Sequence, residues 1–148
     1  MSHSTRVCCA ALVAAFGIAA VISRSPVKAD DVKKAAEARV FEMRTYTAMP
    51  GKLEALHARF RDHTLKLFEK HGMGNVIYLS PTDEPLSGNT LVYLISHASR
   101  AAADKSWAEF RADPEWQKAR DESEKSGKLV MKADAQFFAP TDYSPIKK

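Results

Sequence analysis

The sequence predicts an α+β domain whose elements run strand, helix, strand, strand, helix, strand. Three observations carry this. Residues 40–47 alternate, with Phe41, Met43 and Thr45 pointing one way and Glu42, Arg44 and Tyr46 the other, which is the period of a strand. Two longer stretches, 52–71 and 100–123, repeat apolar residues at spacings of three and four, the period of a helix. Two short runs, 76–79 and 91–95, are almost continuously apolar and too short for helices, so they read as buried strands.

Each element has its own signals. Met49-Pro50-Gly51 is a turn after the first strand. The helix over 52–71 carries its stripe on Leu53, Leu56, Phe60, Thr64, Leu67 and His71, and Gly72 stands where a helix C-terminus takes glycine. The second strand spans 75–80. Residues 81–89 have the Pro, Asp, Ser, Gly and Asn content of a loop. The third strand spans 90–97. Ser99 caps a helix over 100–111 whose inner face is Ala103, Trp107 and Phe110. Asp113-Pro114 restarts that helix, with Asp as cap and Pro at the first helical position. Trp116 and Ala119 continue its apolar face to about Ser123. Gly127 closes it, 128–139 form the last strand, and 140–148 are a tail with two prolines. The order is the ferredoxin-like βαββαβ arrangement.

The start of the chain is different. Arg6 is followed by an apolar run over 7–22, then by Arg24, Pro26 and Val27-Lys28-Ala29. A positive start, a short apolar core and a small-x-Ala end are the parts of a cleavable signal peptide. The run falls short of the roughly 20 residues of a membrane-spanning helix; the alternative is an uncleaved anchor. This reading predicts an exported protein, periplasmic or extracellular after cleavage near Ala29. It has no stable membrane span once cut, a leader over 30–39 and one domain over 40–146. The first 29 residues hold Arg6, Arg24 and Lys28 and no acid, so 19 of the 22 basic residues remain beside all 18 acidic ones. The basic isoelectric point belongs to the export segment and is no sign of nucleic-acid binding. Cys8 and Cys9 leave with it, which excludes disulfides, thiolate catalysis and cysteine-ligated metal from the domain.

Two helices cover one face of a four-stranded sheet. The second and third strands are apolar on both faces, and such strands are normally buried on both. A second copy of the chain is the cheapest cover. Two sheets packed face to face would close a dimeric α+β barrel around a cavity, so a homodimer is expected. The alternative is a partner protein or a ligand lying on the sheet.

The chain also resembles the NIPSNAP family. The likeness lies in Phe41-Glu42-Met43-Arg44-Thr45-Tyr46 followed by Pro50-Gly51-Lys52, in Phe60-Arg61-Asp62-His63-Thr64, and in Phe68-Glu69-Lys70-His71-Gly72-Met73. It continues through Asn89-Thr90-Leu91-Val92-Tyr93-Leu94, Trp107-Ala108-Glu109-Phe110-Arg111-Ala112-Asp113-Pro114-Glu115-Trp116 and Pro140-Thr141-Asp142-Tyr143-Ser144-Pro145. The resemblance implies the dimeric α+β barrel over about 40–145. It implies no single activity, since the wider superfamily includes monooxygenases, haem-handling proteins and stress-related barrels. No cofactor motif is evident, and haem is left open.

The candidate site begins on the first strand. If Phe41 and Met43 face the helices, then Glu42, Arg44 and Tyr46 face the cavity between the two sheets. Arg44 would receive an anionic or enolate group and Tyr46 would donate a hydrogen bond. The alternative is a Glu42–Arg44 ion pair that fixes the dimer register. His63, beside Phe60 and Leu67, is a candidate general base or axial ligand, or else a histidine that closes the core through one hydrogen bond. No two histidines of the first helix have the i, i+4 spacing of a metal pair. Tyr78 and Tyr93 fall opposite each other on neighbouring strands, as pocket lining or as core. Trp107, Phe110 and Trp116 read as core. No phosphate loop, nucleophile elbow or paired-carboxylate motif is present, which disfavours nucleotide chemistry. Two functions follow: a barrel binding a small apolar or weakly anionic ligand in the inter-sheet cavity, or a cofactor-independent monooxygenase or isomerase using Arg44, Tyr46 and His63. A third reading gives the apolar face a purely structural role.

Overall fold

The computed structural model describes residues 38–146. The expected export segment and residues 30–37 of the leader lie outside the described residues. The elements are β1 (Val40–Ala48), α1 (Leu53–Arg59), a π-helical stretch (Phe60–Thr64), α2 (Leu65–Lys70), β2 (Gly74–Leu79), β3 (Thr90–His97), α3 (Arg100–Ala112), α4 (Pro114–Ser123) and β4 (Val130–Phe138). The sheet order is β2-β3-β1-β4 and every pairing is antiparallel. The expected α+β, ferredoxin-like order is observed, with β1 central. No described helix is long and apolar enough to cross a membrane.

Local chemistry explains the element ends. Gly72 follows the first helical rod at φ +73°, the left-handed conformation that favours glycine. At Gly74 a Cβ would meet Ser96 Oγ at 2.5 Å across the β2–β3 pair, so any larger residue would force the Ser96 hydroxyl to turn aside. The Ser99 hydroxyl accepts from the Ala102 backbone N–H at 3.1 Å and opens α3. Asp113 opens α4 by accepting from Glu115 N–H at 2.8 Å, with Pro114 in the first turn. Its other oxygen receives Lys70 Nζ at 2.9 Å and His71 Nε2 at 2.7 Å, tying the end of α2 to the start of α4. Lys70 first and His71 second hold the Asp113 carboxyl well below the usual carboxylate range.

The first rod departs from a plain α-helix. Over 60–64 the turn widens, and Leu65 N–H donates to Phe60 O, five residues back. The Thr64 hydroxyl donates to the Arg59 carbonyl at 3.2 Å. In the widened turn the residue four along, Thr64, stays on the face of Phe60. The residue three along, His63, swings away from it.

The core fills the space between the sheet and the helices. Leu56, Phe60, Leu67 and Phe68 from the rod meet Leu91, Tyr93 and Ile95 from β3, with Trp107 and Phe110 from α3. Each such side chain contributes about 1.5–3 kcal/mol when fully buried. The opposite face of the sheet is open in the single chain. Ile77, Leu79 and Phe138 are 45, 48 and 41% exposed there. Phe41, Met43, Leu94 and Phe138 border a groove of about 380 Å³ that also touches tail residues up to Ile146.

Candidate functional site

Glu42, Arg44 and Tyr46 lie opposite Ile95, Tyr93 and Leu91 of β3, so all six share one face of the sheet. That face is the one under the helices. Glu42 is fully buried and accepts from three sides: Arg44 Nε at 2.7 Å, Trp107 Nε1 at 2.6 Å and His97 Nε2 at 3.0 Å. Burial alone would raise the Glu42 carboxyl. The bonds from His97, Trp107 and Arg44 outweigh that and bring it from 4.5 down to about 2. An ionised Glu42 requires a proton on His97 Nε2, and His97 Nδ1 is then left buried with no partner.

Arg44 is held on every side. Its Nη1 donates to Tyr46 Oη at 3.2 Å, and its guanidinium carbon lies 3.9 Å from the Trp107 ring centre. Burial opposes the Arg44 charge, but Tyr46, Tyr93 and Glu42 favour it more strongly, so its pKa rises. The Tyr46 ring packs edge-on to Tyr93 at 5.3 Å and to Phe60 at 6.0 Å. Tyr93 stacks on Tyr78 at 5.5 Å, the cross-strand pair expected from alternation. The buried Tyr93 hydroxyl makes no well-formed hydrogen bond, and burial first and the neighbouring Tyr46 second drive its pKa well above the ordinary tyrosine value.

Beside this network is a cavity of about 200 Å³ between the sheet and the helices. Tyr46, Phe60, Phe68, Trp107, Phe110 and Trp116 supply its aromatic walls. Arg59, Arg120 and Glu124 supply its charges, and Ala133 lines it on the β4 side. Ala133 pairs with Tyr46 across the sheet and is itself exposed, so small side chains on β4 leave this side of the cavity uncovered.

Two expectations are corrected. Glu42, Arg44 and Tyr46 do not face an inter-sheet cavity; Phe41 and Met43 do face the open side. The carboxylate decides this, because only the helix side offers it the Trp107 and His97 donors. His63 is exposed on the outside of the rod and lines no part of the cavity, because the π-helical turn rotates it away. Trp107, Phe110 and Trp116, expected as core, are both core and cavity wall. Arg59 was not legible as a site residue. It is a buried cation next to Phe60 on the apolar stripe, and an arginine at such a position was the available signal.

Among the described residues, no group of three or more His, Cys, Asp or Glu is placed to hold a metal ion. Haem does not fit this cavity. The cavity is smaller than the roughly 300 Å³ at which pockets for drug-sized ligands begin. Tyr46 is the one lining residue of a type that serves as axial ligand, and its oxygen already accepts from Arg44.

The fold and cavity define a class: a small ferredoxin-like α+β domain with one sheet face covered by helices, one left open, and an aromatic cavity under the helices. The family model of NIPSNAP matches residues 41–145, and the chain belongs to the NIPSNAP family. Among solved structures, it is similar to an uncharacterised NIPSNAP-like domain protein from Burkholderia xenovorans. That match has TM-score 0.65 and 19% identity, covering 76% of this chain and 93% of that one. A NIPSNAP family protein of unknown function from Agrobacterium tumefaciens is similar at TM-score 0.63 and 22% identity, covering 74% of this chain and 94% of that one. At these identities the likeness speaks for the fold alone. No curated protein matches the sequence.

Proposed function

We propose that the protein is an exported binder: a homodimer paired through the open sheet face, holding a small apolar or weakly anionic ligand. The ligand sits between sheet and helices rather than between two sheets. The observation that carries the reading is the aromatic cavity with a buried cation in its wall. Its size fits one ring or a short chain, below the common range for drug-sized ligands. The signal-like start supports export, and the exposed Ile77, Leu79 and Phe138 support pairing.

The rival, a cofactor-independent monooxygenase or isomerase, would use Arg44 and Tyr46 to steady an enolate. It needs a base, and His63 stands outside the cavity. The one carboxylate in the lining, Glu124, is paired to Arg59 at 3.0 Å. No observation favours the rival.

The test is to purify the protein from its native host, extract it and identify by mass spectrometry what copurifies. A small aromatic or aliphatic molecule at near-equal ratio is the expected result. Absorbance of the same sample checks for haem, and N-terminal sequencing should begin at Asp30. Preparations that carry no small molecule, and that take up none from a compound library, would defeat the binder reading.

A further inference from the structure

We propose that Arg59 is the anion anchor of the cavity and that the ligand is a small aromatic carboxylate. This rests on the reading of the cavity as a ligand site and names the chemistry that it selects. Arg59 lies where α1 passes into the π-helical stretch, and widened turns of this kind often occur at functional sites. Its side chain is only 4% exposed, yet it lines the cavity. Nη1 donates to Glu124 Oε1 at 3.0 Å and to Ser123 Oγ at 3.4 Å, while the buried Nε has no hydrogen-bond partner.

A charged donor buried without an acceptor is costly, and native proteins leave few of them. The guanidinium offers its N–H groups as a planar fork that matches the two oxygens of a carboxylate. The lining holds two arginines against one glutamate, a net positive charge. Of the two, Arg120 is half-exposed and directs Nε and Nη2 to Asp121 at 2.9 and 2.8 Å. Arg59 is the interior cation. Arg44, the cation that the sequence singles out, is already committed to Glu42, Tyr46 and the Trp107 face. The walls select the rest of the ligand. Trp116 lies 5.2 Å from the Arg59 guanidinium, and Phe60, Phe110 and Trp107 offer ring faces and edges to a ring.

The chain has two tryptophans, Trp107 and Trp116, and both line the cavity, so intrinsic fluorescence reports its occupancy. The purified protein is titrated with benzoate and with its neutral counterpart benzyl alcohol. Benzoate is expected to give a saturable change and to bind about tenfold tighter than the alcohol. Arg59→Gln should remove that preference by weakening benzoate far more than the alcohol. Glu124→Gln, which releases Arg59 from its internal acceptor, should tighten benzoate further. Equal affinity for the two probes in the unaltered protein would overturn the role of Arg59 and leave the cavity reading standing. No saturable response to either probe would overturn both. Should Arg59→Gln fail to fold, the probe pair and Glu124→Gln decide the matter without it.

Discussion

On the face beneath the helices, β1 presents Glu42, Arg44 and Tyr46; on the open face, the same strand presents Phe41, Met43 and Thr45. Each trio has one fully buried member, Glu42 and Phe41, but the helices cover the charged side, while Ile77, Leu79 and Phe138 on the other side of the sheet are left to solvent. Strand alternation sorts residues into two sets, but it does not say which set goes inside. Here the answer comes from pairing. Glu42 gathers three donors, and the Arg44 guanidinium lies against Trp107, so the helix side gives these charges more than water would. The open face has no such donors. Its exposed Ile77, Leu79 and Phe138 are the apolar surface on which the proposed pairing rests.

The comparison can be broken most severely at Glu42. Glu42→Ala leaves the Arg44 charge and the Trp107 and His97 N–H groups without their acceptor. It should cost roughly 3–5 kcal/mol in urea unfolding, the penalty for removing one member of a buried pair. A loss below about 1 kcal/mol would mean that the network does not hold this face inward.

Acid should act on the same group. The Glu42 carboxyl is lower in the folded chain, about 2 against 4.5, so its contribution is full above pH 4.5 and is lost as pH falls toward 2. The shift corresponds to about 3 kcal/mol. Asp113, also held low, adds to the loss with the same sign. Urea midpoints measured from pH 6 to pH 2 should fall for the unaltered protein and fall less steeply for Glu42→Gln.

A smaller effect of opposite sign is expected one strand away. Tyr93→Phe removes a buried hydroxyl that makes no well-formed hydrogen bond, so it should be neutral or stabilise by up to about 1 kcal/mol. Destabilisation by more than that would mean that the hydroxyl is bonded in solution.

The smallest effect on the stability of the lone chain belongs to the open face. Ile77→Lys should change it by less than about 0.5 kcal/mol, because the side chain is nearly half exposed. If the chain pairs through this face as proposed, light scattering should nevertheless show a dimer for the unaltered protein and a monomer for the variant. A variant that stays dimeric would move the interface away from β2.

Much of the fold was legible from local signals. The limits of β3 agree with the apolar run, and the restart at Asp113-Pro114 is visible because capping and proline are short-range effects. The Tyr78–Tyr93 pairing follows from alternation in an antiparallel pair, despite the register shift between Asn75 and Ile77. The site was legible in part. Glu42, Arg44 and Tyr46 do form one connected group, as their period-2 spacing requires. Their destination was misread, because the donors that draw them inward come from residues 55 and 65 positions away. His63 was misjudged because a five-residue π-helical stretch shifts the helical phase after Arg59, and periodicity of 3.6 cannot anticipate it. Arg59 lies before the stretch, three residues after Leu56, where the ordinary period already places it on the apolar stripe.

The sequence by itself therefore determined the element order, the ferredoxin-like arrangement and the membership of each strand face, all set by spacing, caps and turn residues within a few positions. Only the tertiary structure decided which face of the sheet the helices cover, which arginine is left with an unfilled donor and where the cavity lies. Those choices turn on pairing buried charges across long sequence separations, and local patterns carry no record of that balance.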